Sequence, residues 1–314
     1  MSIASIMSAT KRIAAAAIAA GTLFAVAACG SAEAGQSGSQ AAAEGGASSQ
    51  PAKIEVVASI NQWGSVAKDL GGDLVDVTEI MTNTNVEAHD YEPTSQDVAK
   101  FTGAKVVVVN GADYDPWASK AASSAKAAVV DAAETAGVKE GDNPHVWFSA
   151  KAREATADAI TKAYIAAEPA NQAKFEELNK AWKDRETKLE SKIKDASAKL
   201  SGQPYAATES VAWYLADDLG MTDATPSGYA QASANESEPS PSDLKQYTDT
   251  LAGGSIKLLV FNTQEADATT DQITNAAKSA NVPIVELTEQ MPSQYDDLLD
   301  WMDALVDQFA AAVK

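Results

Sequence analysis

The chain contains two histidines, His89 and His145, in 314 residues. His89 lies in Asn85-Val86-Glu87-Ala88-His89-Asp90-Tyr91-Glu92-Pro93, and His145 in Asn143-Pro144-His145-Val146-Trp147. Each falls just past the carboxyl end of a predicted strand, the edge where open α/β sheets bind ligands. Taken singly, either could be an ordinary surface histidine. The second half of the chain supplies carboxylates at matching places. Glu209 follows a strand ending at Thr208, and Glu265 and Asp267 follow a strand ending at Phe261. Singly, Glu209 could complement a helix dipole and the other two could sit in a solvated loop. Two imidazoles from one lobe and two carboxylates from another make a nitrogen–oxygen donor set suited to a divalent transition metal.

The elements that must position these groups follow from hydrophobic patterning. Ile54–Ile60, Leu74–Met81, Lys105–Asn110 and Ala128–Val130 read as strands, with helices between them. Val106–Val109 is apolar throughout, as expected of a parallel strand buried on both faces. Gly71-Gly72 ends the first helix, and Thr94 is placed to cap the next. Residues 151–200 are almost wholly helix formers, with a break at Pro169. Beyond it Phe175, Leu178, Trp182, Leu189, Ile193 and Leu200 are spaced for one face of a helix. Such a helix would run roughly 45 Å, the length of a two-lobed protein. Alternation then resumes, with strands at 205–208, 256–261 and 283–287 and helices at 210–219, 241–251, 269–280 and 293–313. The expected fold is therefore α/β, with two lobes of mostly parallel sheet flanked by helices and joined by one long helix. Trp63, Trp117, Trp147 and Trp213 fall in or beside these elements and read as core.

Composition narrows the function. Lys and Arg number 24 against 44 Asp and Glu, a net charge of −20. So acidic a surface makes nucleic acid an unsuitable partner. The single cysteine, Cys29, excludes an intrachain disulfide. It directly follows an export-type start, with Lys11 and Arg12 ahead of the apolar run Ile13–Ala28. Val26-Ala27-Ala28-Cys29-Gly30 resembles a bacterial lipobox, in which the cysteine carries lipid. Cleavage before Cys29 would take the charge to −22. Residues 30–52 contain no aliphatic side chain larger than alanine and no aromatic, which fits a flexible tether. No G-x-S-x-G, no phosphate-binding G-x-x-x-x-G-K-[ST] and no D-x-[DN]-x-[DN]-G calcium loop is present. A metal-dependent hydrolase would need an open coordination position and a base, for which Glu87 and Glu92 are the nearby acids.

The runs His89–Pro93 and Asn143–Trp147 resemble those of the manganese/zinc solute-binding proteins of ABC importers, the cluster A-I family. Asn110-Gly111, Thr208-Glu209 and Tyr214-Leu215 add to the likeness, which extends from about residue 54 to 314. The resemblance implies metal ligation by His89, His145 and Glu209, with a fourth carboxylate after a late strand. Glu265 and Asp267 compete for that place, and counting from the strand end favours Glu265. The family's usual fourth ligand is an aspartate, and its histidine-rich loop is missing here. The resemblance further implies a monomeric, non-enzymatic receptor for Mn²⁺ or Zn²⁺, anchored through Cys29 to the extracytoplasmic face of the cell membrane. It would deliver its ion to an import permease and open by a small hinge motion. A surface adhesin with a structural or vestigial metal site is the alternative. The expected boundaries are a signal at 1–28, a tether at 29–52, lobes at 53–165 and 203–314, and the linking helix at 166–202.

Overall fold

The computed structural model describes residues 52–86 and 91–313. The expected signal, Cys29, the expected tether up to residue 51, and His89 lie outside the described residues. Residues 51–314 form one compact unit. Among the described residues no helix is long and apolar enough to cross a membrane.

The first lobe runs β1 (Ile54–Ile60), α1 (Asn61–Gly71), β2 (Val75–Met81), α2 (Ser95–Gly103), β3 (Val106–Val109), α3 (Pro116–Ser123), β4 (Ala128–Asp131) and α4 (Ala132–Ala136). Two helices follow, α5 (Ala150–Ala167) and α6 (Gln172–Leu200). The second lobe runs β5 (Pro204–Ala207), α7 (Trp213–Asp218), β6 (Thr222–Asp223), α8 (Ser227–Ala234), α9 (Pro241–Ala252), β7 (Leu258–Asn262), α10 (Ala268–Ser279), β8 (Ile284–Leu287) and α11 (Leu298–Ala312). Both sheets are parallel and share one topology, β2-β1-β3-β4 in the first lobe and β6-β5-β7-β8 in the second. In each, strand order reverses between the first and third strands, β1/β3 and β5/β7. A crevice opens at such a reversal, outside the carboxyl ends of the strands.

Local chemistry accounts for most element ends. Thr94 caps α2 in a reciprocal capping box with Asp97. Pro169 separates α5 from α6 by a short 3₁₀ turn. Two expected helices begin later than the sequence pattern suggests. Residues 210–212 form a turn, with Trp213 N–H donating to the Ser210 carbonyl, so α7 starts at Trp213. Asp297 accepts from the amides of Leu299 and Asp300 and so fixes the start of α11. Trp63 and Trp147 are buried as expected, whereas Trp213 is 38% exposed.

Helix α6 is 29 residues long and packs on α1 and α5 of one lobe and on α7 and α11 of the other. Its predicted apolar face is buried except at Leu178, which is half-buried, and the face has a gap between Trp182 and Leu189. Glu186 fills that gap and is fully buried. It takes Arg153 of α5 in a forked ion pair, with Nη2 2.6 Å from Oε1 and Nε 3.1 Å from both oxygens. One apolar core runs through both lobes along this helix, with smaller clusters under the outer faces of each sheet.

Candidate metal centre

The loop after α4 delivers His145, which is 2% exposed. The preceding residue, Pro144, is held by Asn110, whose Nδ2 donates to the Pro144 carbonyl (2.9 Å) while its Oδ1 accepts from Trp63 Nε1 (3.0 Å). Asp115 in turn accepts from the backbone amides of Asn110 and Gly111. Burial still pushes the Asp115 carboxyl up to about 6. Gly111 has φ 77°, and a Cβ there would overlap the Asp131 carboxylate, so this turn requires glycine. The imidazole is wedged edge-on between Tyr114 and Trp147. Arg153 Nη1 donates to the Trp147 carbonyl (3.0 Å), tying the loop to the buried ion pair.

The His145 ring has a defined tautomer. Its Nδ1 lies 2.8 Å from Asn143 Oδ1, and the Asn143 Nδ2 is committed to the Ser210 carbonyl (2.7 Å). A carbonyl oxygen can only accept, so Nδ1 carries the proton and donates. With Nδ1 as the donor, Nε2 faces the second lobe and, in the neutral ring, carries the lone pair. It lies 3.5 Å from Glu209 Oε1 and 3.9 Å from Glu289 Oε2.

Both carboxylates come from carboxyl ends of the second sheet. Glu209 stands two residues past β5, on a Thr208 whose Oγ1 accepts from the Asn262 amide (3.1 Å). Glu289 stands two residues past β8 and is fully buried. Asn262, at the end of β7, donates from Nδ2 to Glu209 Oε2 (2.7 Å) and to Glu289 Oε1 (3.1 Å). Tyr114 crosses from the first lobe to donate to Glu289 Oε2 (2.7 Å). Gln264 accepts from the amides of Glu289 and Gln290, and its Nε2 donates to the Val86 carbonyl (3.1 Å).

One ligand atom each from His145, Glu209 and Glu289 can be chosen so that all lie within 4.8 Å of one another. An ion about 2.1 Å from each of its tetrahedral ligands needs donors about 3.4 Å apart, so the His145 distances of 3.5 and 3.9 Å to Glu209 and Glu289 need little contraction to close on one.

The other residues singled out in the sequence are placed as follows. Glu265 lines the same cleft as His145 and Glu209, together with Asp113, Asp142 and Glu236, but stands outside the trio. Asp267 is the N-cap of α10, its Oδ1 accepting from Thr270 N–H (2.7 Å) and Oγ1–H (2.9 Å). The chain leaving β7 turns at once into a 3₁₀ turn over Thr263–Glu265, so the group aimed at the trio from this strand is the Asn262 amide. His89 lies outside the described residues. On one side of it Val86 is held by Gln264; on the other, Tyr91 packs on Trp117 and donates to Asp97 (3.1 Å). Glu289 is the carboxylate of this trio that the sequence pattern did not point to. Scanning the end of every predicted strand for acids, including the short last one, would have reached it.

Comparison with known proteins gives a consistent picture. Residues 56–312 match the family model ZnuA, the periplasmic component A of zinc-uptake complexes. The iron-binding protein YfeA of Yersinia pestis is 24% identical over 245 residues, 74% of this chain and 77% of that one. The manganese ABC transporter substrate-binding lipoprotein PsaA of Streptococcus anginosus is 25% identical over 253 residues, 74% of this chain and 78% of its own. Among solved structures, the periplasmic zinc-binding protein TroA of Treponema pallidum superposes with a TM-score of 0.71 at 19% identity. That match covers 83% of this chain and 99% of TroA.

Proposed function

Because this chain belongs to the ZnuA family of metal-binding substrate-binding proteins of ABC transporters, we propose that it captures Mn²⁺ or Zn²⁺ between its lobes and passes the ion to an import permease. The observation that carries this reading is the convergence of His145, Glu209 and Glu289, from three separate loops, on one point between the lobes. We assign the first-lobe ligands to His89 and His145 and the second-lobe ligands to Glu209 and Glu289. Asp267 is spent as a helix cap. Glu265 belongs to the acidic mouth, where negative charge raises the local concentration of cations.

The named relatives span iron, manganese and zinc, so similarity does not choose the metal. The donor set narrows it. Two carboxylates supply hard oxygen, which suits Mn²⁺ better than an all-imidazole site would. The Irving–Williams order nevertheless gives Zn²⁺ the tighter complex at a given site, so zinc wins in direct competition in vitro. The two carboxylates face an imidazole lone pair, and a divalent cation relieves that crowding of negative potential.

The lipobox-like Cys29 and the residues that follow it support a location outside the cytoplasm, with the folded part held at the membrane by lipid and standing off it. The family is a transport component rather than an enzyme family, and nothing in the proposed cycle makes or breaks a covalent bond. Delivery needs the lobes to part. Helix α6 packs on both of them, and its stiffness supports a small opening rather than a wide one.

Metal titration of the mature chain tests the reading. Saturation at 100 times Kd should stabilise the fold by about 2.7 kcal/mol, seen as a rise in Tm. His145→Ala and Glu209→Ala should abolish that rise. Unchanged affinity in both variants would exclude the site.

A further inference from the structure

Asn143 is a first-lobe residue whose side chain is divided between the two lobes. Its Oδ1 accepts from the His145 backbone amide (3.0 Å) and from the His145 ring Nδ1–H (2.8 Å). Its Nδ2 donates to the Ser210 carbonyl (2.7 Å) and to Ser210 Oγ (3.1 Å), both in the second lobe. The Asn143 backbone carbonyl accepts from the hydroxyl of Tyr214 on α7 (2.8 Å). A carboxamide offers two acceptor lone pairs and two N–H donors, and here all four are used. Rotating it by half a turn would set NH₂ against the His145 amide and oxygen against the Ser210 carbonyl, losing the bonds to both of these backbone groups, whose polarity is fixed. The orientation is therefore determined by both lobes together.

Resting on the metal-capture reading above, we infer that Asn143 is a positioning residue that couples lobe apposition to the metal-ready state of His145. With the lobes together, the Ser210 carbonyl holds the amide so that Oδ1 takes the Nδ1 proton, and Nε2 points its lone pair at Glu209 and Glu289. When the lobes part, Ser210 withdraws and the amide is free to turn. The ring then loses the acceptor that fixes its tautomer, and the imidazole becomes a poorer ligand as the site opens. Release is thus aided by a rotation of one side chain, with no proton exchanged with solvent as a requirement. An acceptor behind a ligating histidine orients the ring and raises its basicity, and its loss costs about 10–100-fold in metal affinity.

The test uses the mature chain with ¹⁵N-labelled histidine, and the metal alone as ligand. Only two histidine rings contribute, and His89→Gln identifies the His145 signals. In the metal-free wild type at a pH where the ring is neutral, His145 should show a protonated Nδ1 and an unprotonated Nε2. Asn143→Ala should give a mixture of tautomers and bind Mn²⁺ or Zn²⁺ about 10–100-fold more weakly. Asn143→Asp retains an acceptor for Nδ1–H and loses both donors to Ser210. It should keep the wild-type tautomer while releasing metal about tenfold faster, in line with the lower end of that range. A wild-type ring protonated at Nε2, or an Asn143→Ala variant with unchanged tautomer and affinity, overturns the proposal. So does an Asn143→Asp variant whose release rate equals that of the wild type. If Asn143→Ala fails to fold, the wild-type spectrum and Asn143→Asp still decide. The tautomer is read without metal, so a wild type that binds no metal refutes the capture reading while leaving the ring geometry separately judged.

Discussion

Tyr114 and Glu289 belong to opposite lobes and meet through a 2.7 Å hydrogen bond in which the phenol donates to the carboxylate. The same hydroxyl accepts from Gln290 Nε2 (2.8 Å), so one atom of the first lobe engages two consecutive side chains of the second. Nearby, Asn61 exchanges two hydrogen bonds with the backbone of Met291, and Gln62 donates to the Glu289 carbonyl. The segment carrying Glu289 is therefore clamped to the start of α1, and this carboxylate's position is set by both lobes.

Tyr114→Phe should expose the cost of that clamp. Removing the hydroxyl leaves a buried carboxylate oxygen and a buried amide each short of a partner, at about 1–3 kcal/mol. Urea unfolding of the metal-free protein should report that loss. Metal binding should survive, since the phenol touches the ligand from behind, with affinity lowered by about 10–100-fold. A variant as stable as the wild type would show that the bond carries no weight.

The second-lobe carboxylates can be ranked by calorimetric titration. Glu289→Gln should lose more than about 100-fold in affinity, beyond what loss of an outer contact alone costs. Asp267→Ala should leave affinity within about threefold and instead cost about 1 kcal/mol of stability, the price of a helix N-cap. Glu265→Gln should slow association in a salt-dependent way, as expected of a charge at the mouth. If Asp267→Ala were the variant that abolished binding, the fourth ligand would come from the β7 loop and not from the β8 loop.

These rankings show which parts of the molecule could be read from the chain. Both sheets, the long helix and the Thr94 cap were legible because each rests on a local signal: apolar strands such as Val106–Val109, periodic apolar spacing, and a capping residue in its place. Glu209 was legible because it closely follows a predicted strand, and His145 because it is one of two histidines in the chain and sits in the Asn143–Trp147 run, although α4 separates it from β4. Helix α8 was not, since Ser227–Ala234 is small and polar and shows little apolar periodicity. Strand β6 is two residues long and is defined by its pairing with β5. Glu289 was obscured for a different reason. Thr288-Glu289-Gln290 reads as a polar loop, and its burial arises from α1 and Tyr114, which lie about 175–230 residues away in the chain. Glu265 and Asp267 drew attention by lying after a longer and more apolar strand.

The gap in the apolar face of α6 gives a stability prediction. Glu186→Gln leaves Arg153 charged and without its counter-ion in the core, and should cost about 3–5 kcal/mol. Replacing both residues with apolar side chains, as in Arg153→Met with Glu186→Leu, should cost less than Glu186→Gln alone, because no charge remains buried. Chemical denaturation of the two variants measures the difference. Equal losses would mean that the pair is needed for shape, including the bond from Arg153 to the Trp147 carbonyl beside the site.

A second polar cluster on α6 predicts a pH dependence. Arg185 pairs with Asp69 of α1 at 3.1 Å, and with Asp297 (2.7 Å) and Asp300 (3.3 Å) at the start of α11. Burial, followed by the adjacent Asp297, raises the Asp69 carboxyl from 3.8 to about 7 against the pull of Arg185. Burial also opposes ionisation of Asp297, but hydrogen bonds from Arg185 and Asp69 outweigh it and hold that group below 3.8. Between pH 3.8 and about 7 the folded protein keeps a proton on Asp69 that the unfolded chain has released. Stability from this group is therefore complete below 3.8 and is lost as pH rises through about 7. Asp297 acts in the opposite sense, contributing above 3.8 and failing in stronger acid. Asp69→Asn keeps a donor facing Asp297 and removes the titration. Its Tm should gain on that of the wild type as pH rises from about 4 to 7, and the difference should then stay level. Parallel Tm curves for the two proteins across that interval would show that Asp69 is ionised throughout, with Arg185 prevailing over burial.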